Sequence, residues 1–103
     1  MSNEPYIKLL EVSNDKLVIV TFTAMWSGAS KILTSSLKQI DIVNDDLALA
    51  EFDVESANEL FNDLGLSHVP TTILLRDQEI IDLFIGPLSK RKIKEKILKA
   101  TAQ

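Results

Sequence analysis

Residues 18–31 read "VIVTFTAMWSGASK", and their character changes at Trp26. The first part, extended back to Leu17, is apolar and β-branched, a pattern typical of a central strand that is covered on both faces. After Trp26 the apolar residues recur at helical spacing. They are Ile32, Leu33, Leu37 and Ile40. The stretch therefore predicts a buried strand that passes directly into a helix at Trp26–Ser30.

The rest of the chain shows further segments with a clear period. In order, we predict a helix at 4–12, a strand at 47–53, a helix within 56–65, strands at 71–75 and 79–85, and a helix within 88–100. Gly65 is expected to end its helix as a C-terminal cap, and the apolar residues of the last helix are Ile93, Ile97 and Leu98. Two strands joined by a helix form a parallel right-handed unit, and a short connection between the last two strands forms a hairpin. The expected fold class is α/β, with a four-stranded mixed sheet that has helices on both faces.

The length and composition of the chain limit the functions that the protein can have. The chain has 103 residues and 46% hydrophobic residues, which fits one folded domain over 1–103. A net charge of -4 disfavours nucleic acid, and the sequence has no apolar run long enough to span a membrane. We expect a cytoplasmic monomer.

The chain has no cysteine and a single histidine, His68. Disulfides and thiolate ligands are therefore excluded, and a zinc site would depend almost wholly on carboxylates. We expect no metal and no cofactor.

The segment at 18–31 resembles the active-site segment of the thioredoxin family, in which an apolar strand leads into Trp-Cys-Gly-Pro-Cys-Lys and a helix. Three further segments agree with the family in order and spacing. They are "AEFDVESANEL" (50–60), "LGLSHVPTTILLRDQE" (64–79) and "IGPLSKRKIKEKI" (85–97). The resemblance implies a thioredoxin-like fold. Since few residues precede Leu17, we expect the family's N-terminal edge strand to be missing and the first helix to be present.

The departures from the family pattern concern its chemistry. By this resemblance, Ser27 and Ser30 stand at the positions of the two redox cysteines. Four other family residues near the thiols are also replaced. Ala29 aligns with the intervening proline and Thr21 with the buried aspartate, while Glu51 aligns with a nearby lysine and Ser35 with the helix-kinking proline. Disulfide exchange needs a thiolate that attacks sulfur, which a serine hydroxyl cannot replace. We therefore expect no catalytic residues and no disulfide exchange.

The serines also have a simple structural interpretation. Ser27 precedes the helix, where a serine accepts a hydrogen bond from a backbone N–H of the first turn. Ser30 would lie within that turn. At Thr21, a hydroxyl that bonds locally replaces a buried carboxylate, whose desolvation is costly. These positions predict a strand end and a capped helix rather than a catalytic pair.

The family resemblance places Trp26, Val69, Pro70 and Gly86 along a substrate groove, with Pro70 in the loop that carries a cis proline. In such a groove the residue before the proline pairs its backbone with an extended segment of a partner protein. We expect an extended protein segment as the partner. The alternative is that Trp26 only packs on its own loop and contacts no partner.

Two other functions remain open at this point. One is a thiol-disulfide oxidoreductase whose two cysteines have been replaced by serine artificially. Such a replacement would leave four other changes unexplained, at Thr21, Ala29, Ser35 and Glu51. The other is a hydrolase that uses Ser27 as nucleophile and His68 as base, for which the sequence provides neither an adjacent acid nor a G-x-S-x-G motif.

Overall fold

The computed structural model describes residues 4–42 and 46–101, and within helix α2 it describes the side chains only up to Ile40. Four helices and four strands occur in this part of the chain. In order they are α1 (Glu4–Val12), β1 (Leu17–Thr23), α2 (Gly28–Ile42), β2 (Leu47–Asp53), α3 (Asn58–Asp63), β3 (Thr71–Arg76), β4 (Glu79–Ile85) and α4 (Lys90–Thr101). The order and types agree with the sequence prediction, although α3 is shorter than the segment that suggested it.

The four strands form one mixed sheet in the order β2-β1-β3-β4. Strand β1 pairs with β2 in parallel and with β3 antiparallel, and β3 pairs with β4 as an antiparallel hairpin. In the part of the chain that the structure describes, no strand precedes α1. Strand β2 is consequently at the edge of the sheet, in line with the expected lack of an N-terminal edge strand.

Each face of the sheet has its own hydrophobic core because successive side chains of a strand point to opposite faces. On one face, Leu17 and Ile19 of β1 pack in a core with α2 and α4. On the other face, Val18, Val20 and Phe22 pack with residues of α1 and α3. All seven residues of β1 are buried, as expected for a central strand.

The helical stripes predicted from sequence need two corrections. Leu33, Leu37 and Ile40 of α2 are buried, but Ile32 is 63% exposed. In α4, Leu98 is 68% exposed. Each exposed residue is next in sequence to a buried one, and about 100° of helical rotation per residue separates such neighbours. The apolar stripes are therefore narrower than the sequence suggested.

Two turns depend on left-handed backbone conformations. Gly65 ends α3 with φ of 74°, and the N–H groups of Gly65 and Leu66 donate to carbonyls of the helix, at Asn62 and Phe61. This is the expected glycine C-cap. The β3–β4 hairpin turns at Asp77 and Gln78, both with positive φ, although neither is glycine. Ser13 fixes this turn, since its carbonyl accepts from the Asp77 N–H and its hydroxyl from the Gln78 N–H.

Candidate functional site

Three hydrogen bonds join the end of β1 to the start of α2. The Ser30 N–H donates to Ser27 Oγ at 3.1 Å, which confirms the prediction that Ser27 caps the helix. The Ser30 hydroxyl in turn accepts from the Ala24 N–H at 3.3 Å, and the Ser27 N–H donates to the Ala24 carbonyl at 3.1 Å. We call Ala24, Ser27 and Ser30, with these bonds, the serine corner.

The sequence gives no sign of the role that Ser30 has in this corner. Its hydroxyl reaches back across six residues to satisfy a backbone donor at the strand end, whereas a helical serine usually bonds within its own turn. Ser27 and Ser30 are only 8% and 2% exposed. Both hydroxyls therefore take part in internal hydrogen bonds that fix the backbone around Trp26.

The side chain of Trp26 points away from this anchored backbone. It is 72% exposed, and the neighbouring Met25 is 79% exposed. The two large apolar side chains thus project into solvent from a segment whose flanking residues are buried. Such an arrangement leaves the indole ring free to contact another molecule.

The strand register places the other predicted groove residues at the same end of the sheet. Phe22 near the end of β1 pairs with Thr71 at the start of β3, and Thr71 also pairs with Ile85 at the end of β4. Val69 and Pro70 directly precede Thr71, and Gly86 directly follows Ile85. The serine corner, the Val69–Pro70 loop and Gly86 consequently lie along one end of the sheet.

The Val69–Pro70 loop is closed by hydrogen bonds within the chain. The Val69–Pro70 peptide bond is cis, and the Gly86 N–H donates to the Pro70 carbonyl at 2.8 Å. Gly86 has φ of 77°, a conformation that glycine adopts without steric cost. Pro70 is buried, and Val69 and Gly86 are half-buried. The structure thus brings Gly86 onto Pro70. No described hydrogen bond or ring contact joins Trp26 to this loop.

Below the corner, Thr21 is buried and its hydroxyl lies 3.1 Å from that of Thr72. We expected Thr21 to bond locally, but its partner is 51 residues away. The reason is the register, because Thr21 and Thr72 are opposite each other on antiparallel strands. The two hydroxyls satisfy each other, so the sheet contains no buried charge at this position.

His68 does not serve as a base for Ser27 in this structure. Its Nδ1 lies 3.0 Å from the hydroxyl of the adjacent Ser67, and both residues are exposed. Ser27 Oγ instead accepts the helix N–H of Ser30. No described hydrogen bond connects Ser27 with His68, so the geometry gives no support to a nucleophile–base pair.

Burial raises the pKa of Tyr6, the only tyrosine, above its ordinary value. Within residues 4–42 and 46–101 no cluster of histidine and carboxylate side chains is arranged to hold a metal ion. None of the described helices is both long and apolar enough to cross a membrane.

The sheet, its flanking helices and the loop at its end define an α/β domain of the thioredoxin-like class. The solved thioredoxin of Fasciola hepatica superposes with a TM-score of 0.86 at 22% identity, covering 93% of this chain and 91% of that chain. The thioredoxin of Trypanosoma brucei brucei gives the same TM-score and identity, covering 99% of this chain and 88% of that one. These likenesses establish the fold.

Sequence comparison establishes the family. The thioredoxin family model matches residues 3–99. The thioredoxin of Mycoplasmoides gallisepticum is 32% identical over 84 residues, which cover 82% of this chain and 84% of that protein. The chain belongs to the thioredoxin family.

Proposed function

We propose that this thioredoxin-family domain binds an extended protein segment at the end of its sheet and does not carry out disulfide exchange. The observation that carries the proposal is the exposure of Trp26, at 72%, in a segment held on either side by the buried, hydrogen-bonded residues Ala24 and Ser27. A large aromatic side chain on a fixed backbone loses little conformational freedom on binding, which makes it an effective anchor.

The second contact is the backbone of Val69. In the family, the residue before the loop proline pairs with an extended segment by strand addition, and the half-buried Val69 occupies that position here. The half-buried Gly86 beside Pro70 carries no side chain that would obstruct an approaching backbone. Trp26, Val69, Pro70 and Gly86 together form what we call the sheet-end groove.

The lack of exchange follows from the chemistry of the chain. It contains no cysteine, and a serine hydroxyl cannot form the mixed disulfide through which exchange proceeds. By the family resemblance, Ser27 and Ser30 hold the positions of the thiols. Their hydroxyls serve instead to cap α2 and to bind the end of β1.

A selection experiment tests the binding function. A library of unstructured peptides is panned against the whole protein, and the selected peptides are measured by calorimetry against Trp26→Ala and, as the matched control, Met25→Ala. We expect at least about a tenfold loss of affinity in Trp26→Ala, as for a hot-spot aromatic, and less than about a twofold change in Met25→Ala. Peptides that bind Trp26→Ala as tightly as the unaltered protein contradict the proposed groove.

A thiol variant tests the assignment of the two serines. We expect Ser27→Cys/Ser30→Cys, treated with oxidised glutathione, to form a disulfide between the two introduced thiols and to release two molecules of reduced glutathione. Mass spectrometry after digestion identifies the bond. Two thiols that remain free or only glutathionylated would show that these positions do not have the geometry of the family's cysteine pair.

The codons of the natural gene test whether the two serines were introduced artificially. Serine codons at 27 and 30 support a domain without redox chemistry. Cysteine codons at these positions would make the natural protein a disulfide oxidoreductase and would overturn the proposal.

A further inference from the structure

A pocket lies beside β2, on the face of the sheet that α1 and α3 cover. Its apolar walls come from Pro5 and Tyr6 in the first turn of α1, from Phe52 near the end of β2, and from Ala57 and Leu60 around the first turn of α3. The volume of the pocket is about 370 Å³. An apolar cavity of about 150 Å³ can hold one benzene molecule, so this pocket has room for a molecule with two rings. We call it the α1/α3 pocket.

The floor of the pocket is the end of a row of aromatic rings. Phe22 stacks on Phe52, with ring centroids 5.5 Å apart and an angle of 20° between the planes, and it also contacts Phe61 at 5.8 Å. Phe22 is buried, whereas Phe52 is half-buried and lines the pocket. A flat aromatic molecule in the pocket would therefore contact Phe52 as the next ring of the row. Contacts between aromatic rings stabilise a complex beyond the apolar area that they bury.

The hydroxyl of Tyr6 gives the pocket a polar group without a partner. Tyr6 is only 9% exposed, and in the described part of the chain no hydrogen bond satisfies its hydroxyl. None of the described buried side-chain oxygens lacks both a partner and contact with solvent, so this hydroxyl is accessible from outside. Burial raises the pKa of Tyr6, and the hydroxyl therefore keeps its proton at neutral pH. Because Tyr6 lines the pocket, a ligand there can accept its hydrogen bond.

The pocket offers nothing that selects a charged ligand. Among its described lining residues there is no lysine, arginine or histidine, so an anion would lose hydration without gaining a cationic partner. Glu51 and Asp53 border the pocket, but they alternate with Phe52 along β2, and their side chains are directed to the opposite face of the sheet. Glu59 is exposed to solvent. The ligand that fits this lining is uncharged.

We propose that the α1/α3 pocket binds an uncharged small molecule with two aromatic rings, which lies on Phe52 and accepts a hydrogen bond from the Tyr6 hydroxyl through a polar atom. Burial and stacking supply the affinity, and the hydroxyl fixes the orientation of the ligand. The described lining includes none of the sheet-end groove residues, so the inference does not depend on the proposed peptide binding.

Three probes that share a two-ring skeleton test the ligand class by titration into the isotope-labelled full chain. They are β-naphthol, its saturated analogue β-decalol and the anion β-naphthoate. With β-naphthol we expect saturable shifts of the backbone amide signals of Phe52, Ala57 and Leu60, with a dissociation constant below about 1 mM. β-Decalol cannot stack and should bind at least about threefold more weakly. β-Naphthoate carries an unpaired charge and should bind at least about fivefold more weakly.

A pair of protein variants tests the hydrogen bond. Tyr6→Phe removes the hydroxyl and keeps the ring, and Ser35→Ala removes an exposed hydroxyl from α2, on the opposite face of the sheet. We expect β-naphthol to bind Tyr6→Phe at least about threefold more weakly than Ser35→Ala, because the ligand then has no hydrogen-bond donor in the pocket. Circular dichroism verifies that both variants are folded.

Several results would overturn the inference. They are no saturable shift up to about 1 mM β-naphthol, shifts confined to Trp26, Val69 and Gly86, equal affinity for β-naphthol and β-decalol, and equal affinity of the two variants. Binding of β-naphthoate as tight as that of β-naphthol would show that the pocket accepts an anion, and the proposed ligand class would then be wrong.

Discussion

The hydrogen bonds of the serine corner make Ser27 a determinant of stability, which Ser27→Ala tests. In the folded protein Ser27 Oγ accepts the N–H of Ser30, a residue only 2% exposed. Water cannot readily replace the lost acceptor at such a buried site. We expect the free energy of unfolding to fall by about 1 kcal/mol, the usual cost of removing a serine N-cap. For a domain of this size that corresponds to a melting temperature lower by roughly 4–8 °C.

Two variants serve as controls for this prediction. Ser27→Asp keeps a side-chain acceptor and adds a negative charge at the helix N-terminus, so we expect it to recover most of the lost stability. Ser35→Ala removes an exposed hydroxyl from the interior of α2, for which the structure describes no hydrogen bond. Since alanine has the highest helix propensity, this variant should be as stable as the unaltered protein or slightly more stable.

Equilibrium urea denaturation, followed by far-ultraviolet circular dichroism, measures these differences. The change in midpoint at constant m value gives the change in unfolding free energy. The reasoning is refuted if Ser27→Ala has the same midpoint as Ser35→Ala. It is also refuted if Ser27→Asp is destabilised as much as Ser27→Ala, since the effect would then not come from the acceptor.

Three further predictions concern Thr21, Gly65 and Tyr6. Thr21→Val leaves the buried Thr72 hydroxyl without its partner and should lower the free energy of unfolding by about 1–3 kcal/mol in urea denaturation. The double variant Thr21→Val/Thr72→Val should be closer in stability to the unaltered protein. Losses of stability that simply add in the double variant would contradict this coupling. Gly65→Ala should lower stability by about 1 kcal/mol in thermal denaturation, because φ is 74° at this position. Gly65→Asn should be destabilised less, since asparagine adopts this conformation more readily than alanine. Equal losses of stability in the two variants would contradict the C-cap interpretation. Burial raises the folded-state pKa of Tyr6 above 10.0, so above that pH the unfolded state loses the phenolic proton first and stability falls. Urea midpoints on either side of that pH should show a smaller alkaline decrease in Tyr6→Phe, and an identical decrease would contradict the assignment.

Much of the fold could be predicted from local patterns in the sequence. The uninterrupted apolar run at β1 and the change to helical period after Trp26 indicated a central strand followed by a helix, and both are present. Ser27 was predictable as an N-cap because a cap depends only on residues within one turn. Gly65 was predictable as a C-cap for the same reason.

Features that depend on the pairing of distant segments could not be predicted in this way. The Thr21–Thr72 contact follows from the antiparallel register, and the Ser30–Ala24 bond depends on how the turn after β1 brings the first turn of α2 back to the strand end. Ile32 was assigned to the apolar stripe because it follows the helical period, but the sheet covers only part of that stripe. Sequence period gives the direction of a side chain on its own helix, whereas burial depends on which elements pack against it.

The most direct test of the proposed function is the chemical shift of the Trp26 indole N–H during titration with a peptide selected against the protein. Trp26 is the only tryptophan, so the indole signal is unambiguous. We expect this signal and the amide signals of Val69 and Gly86 to shift together and to saturate at the affinity measured by calorimetry. A peptide that binds with that affinity while all three signals stay unchanged would contradict the sheet-end groove as the binding site.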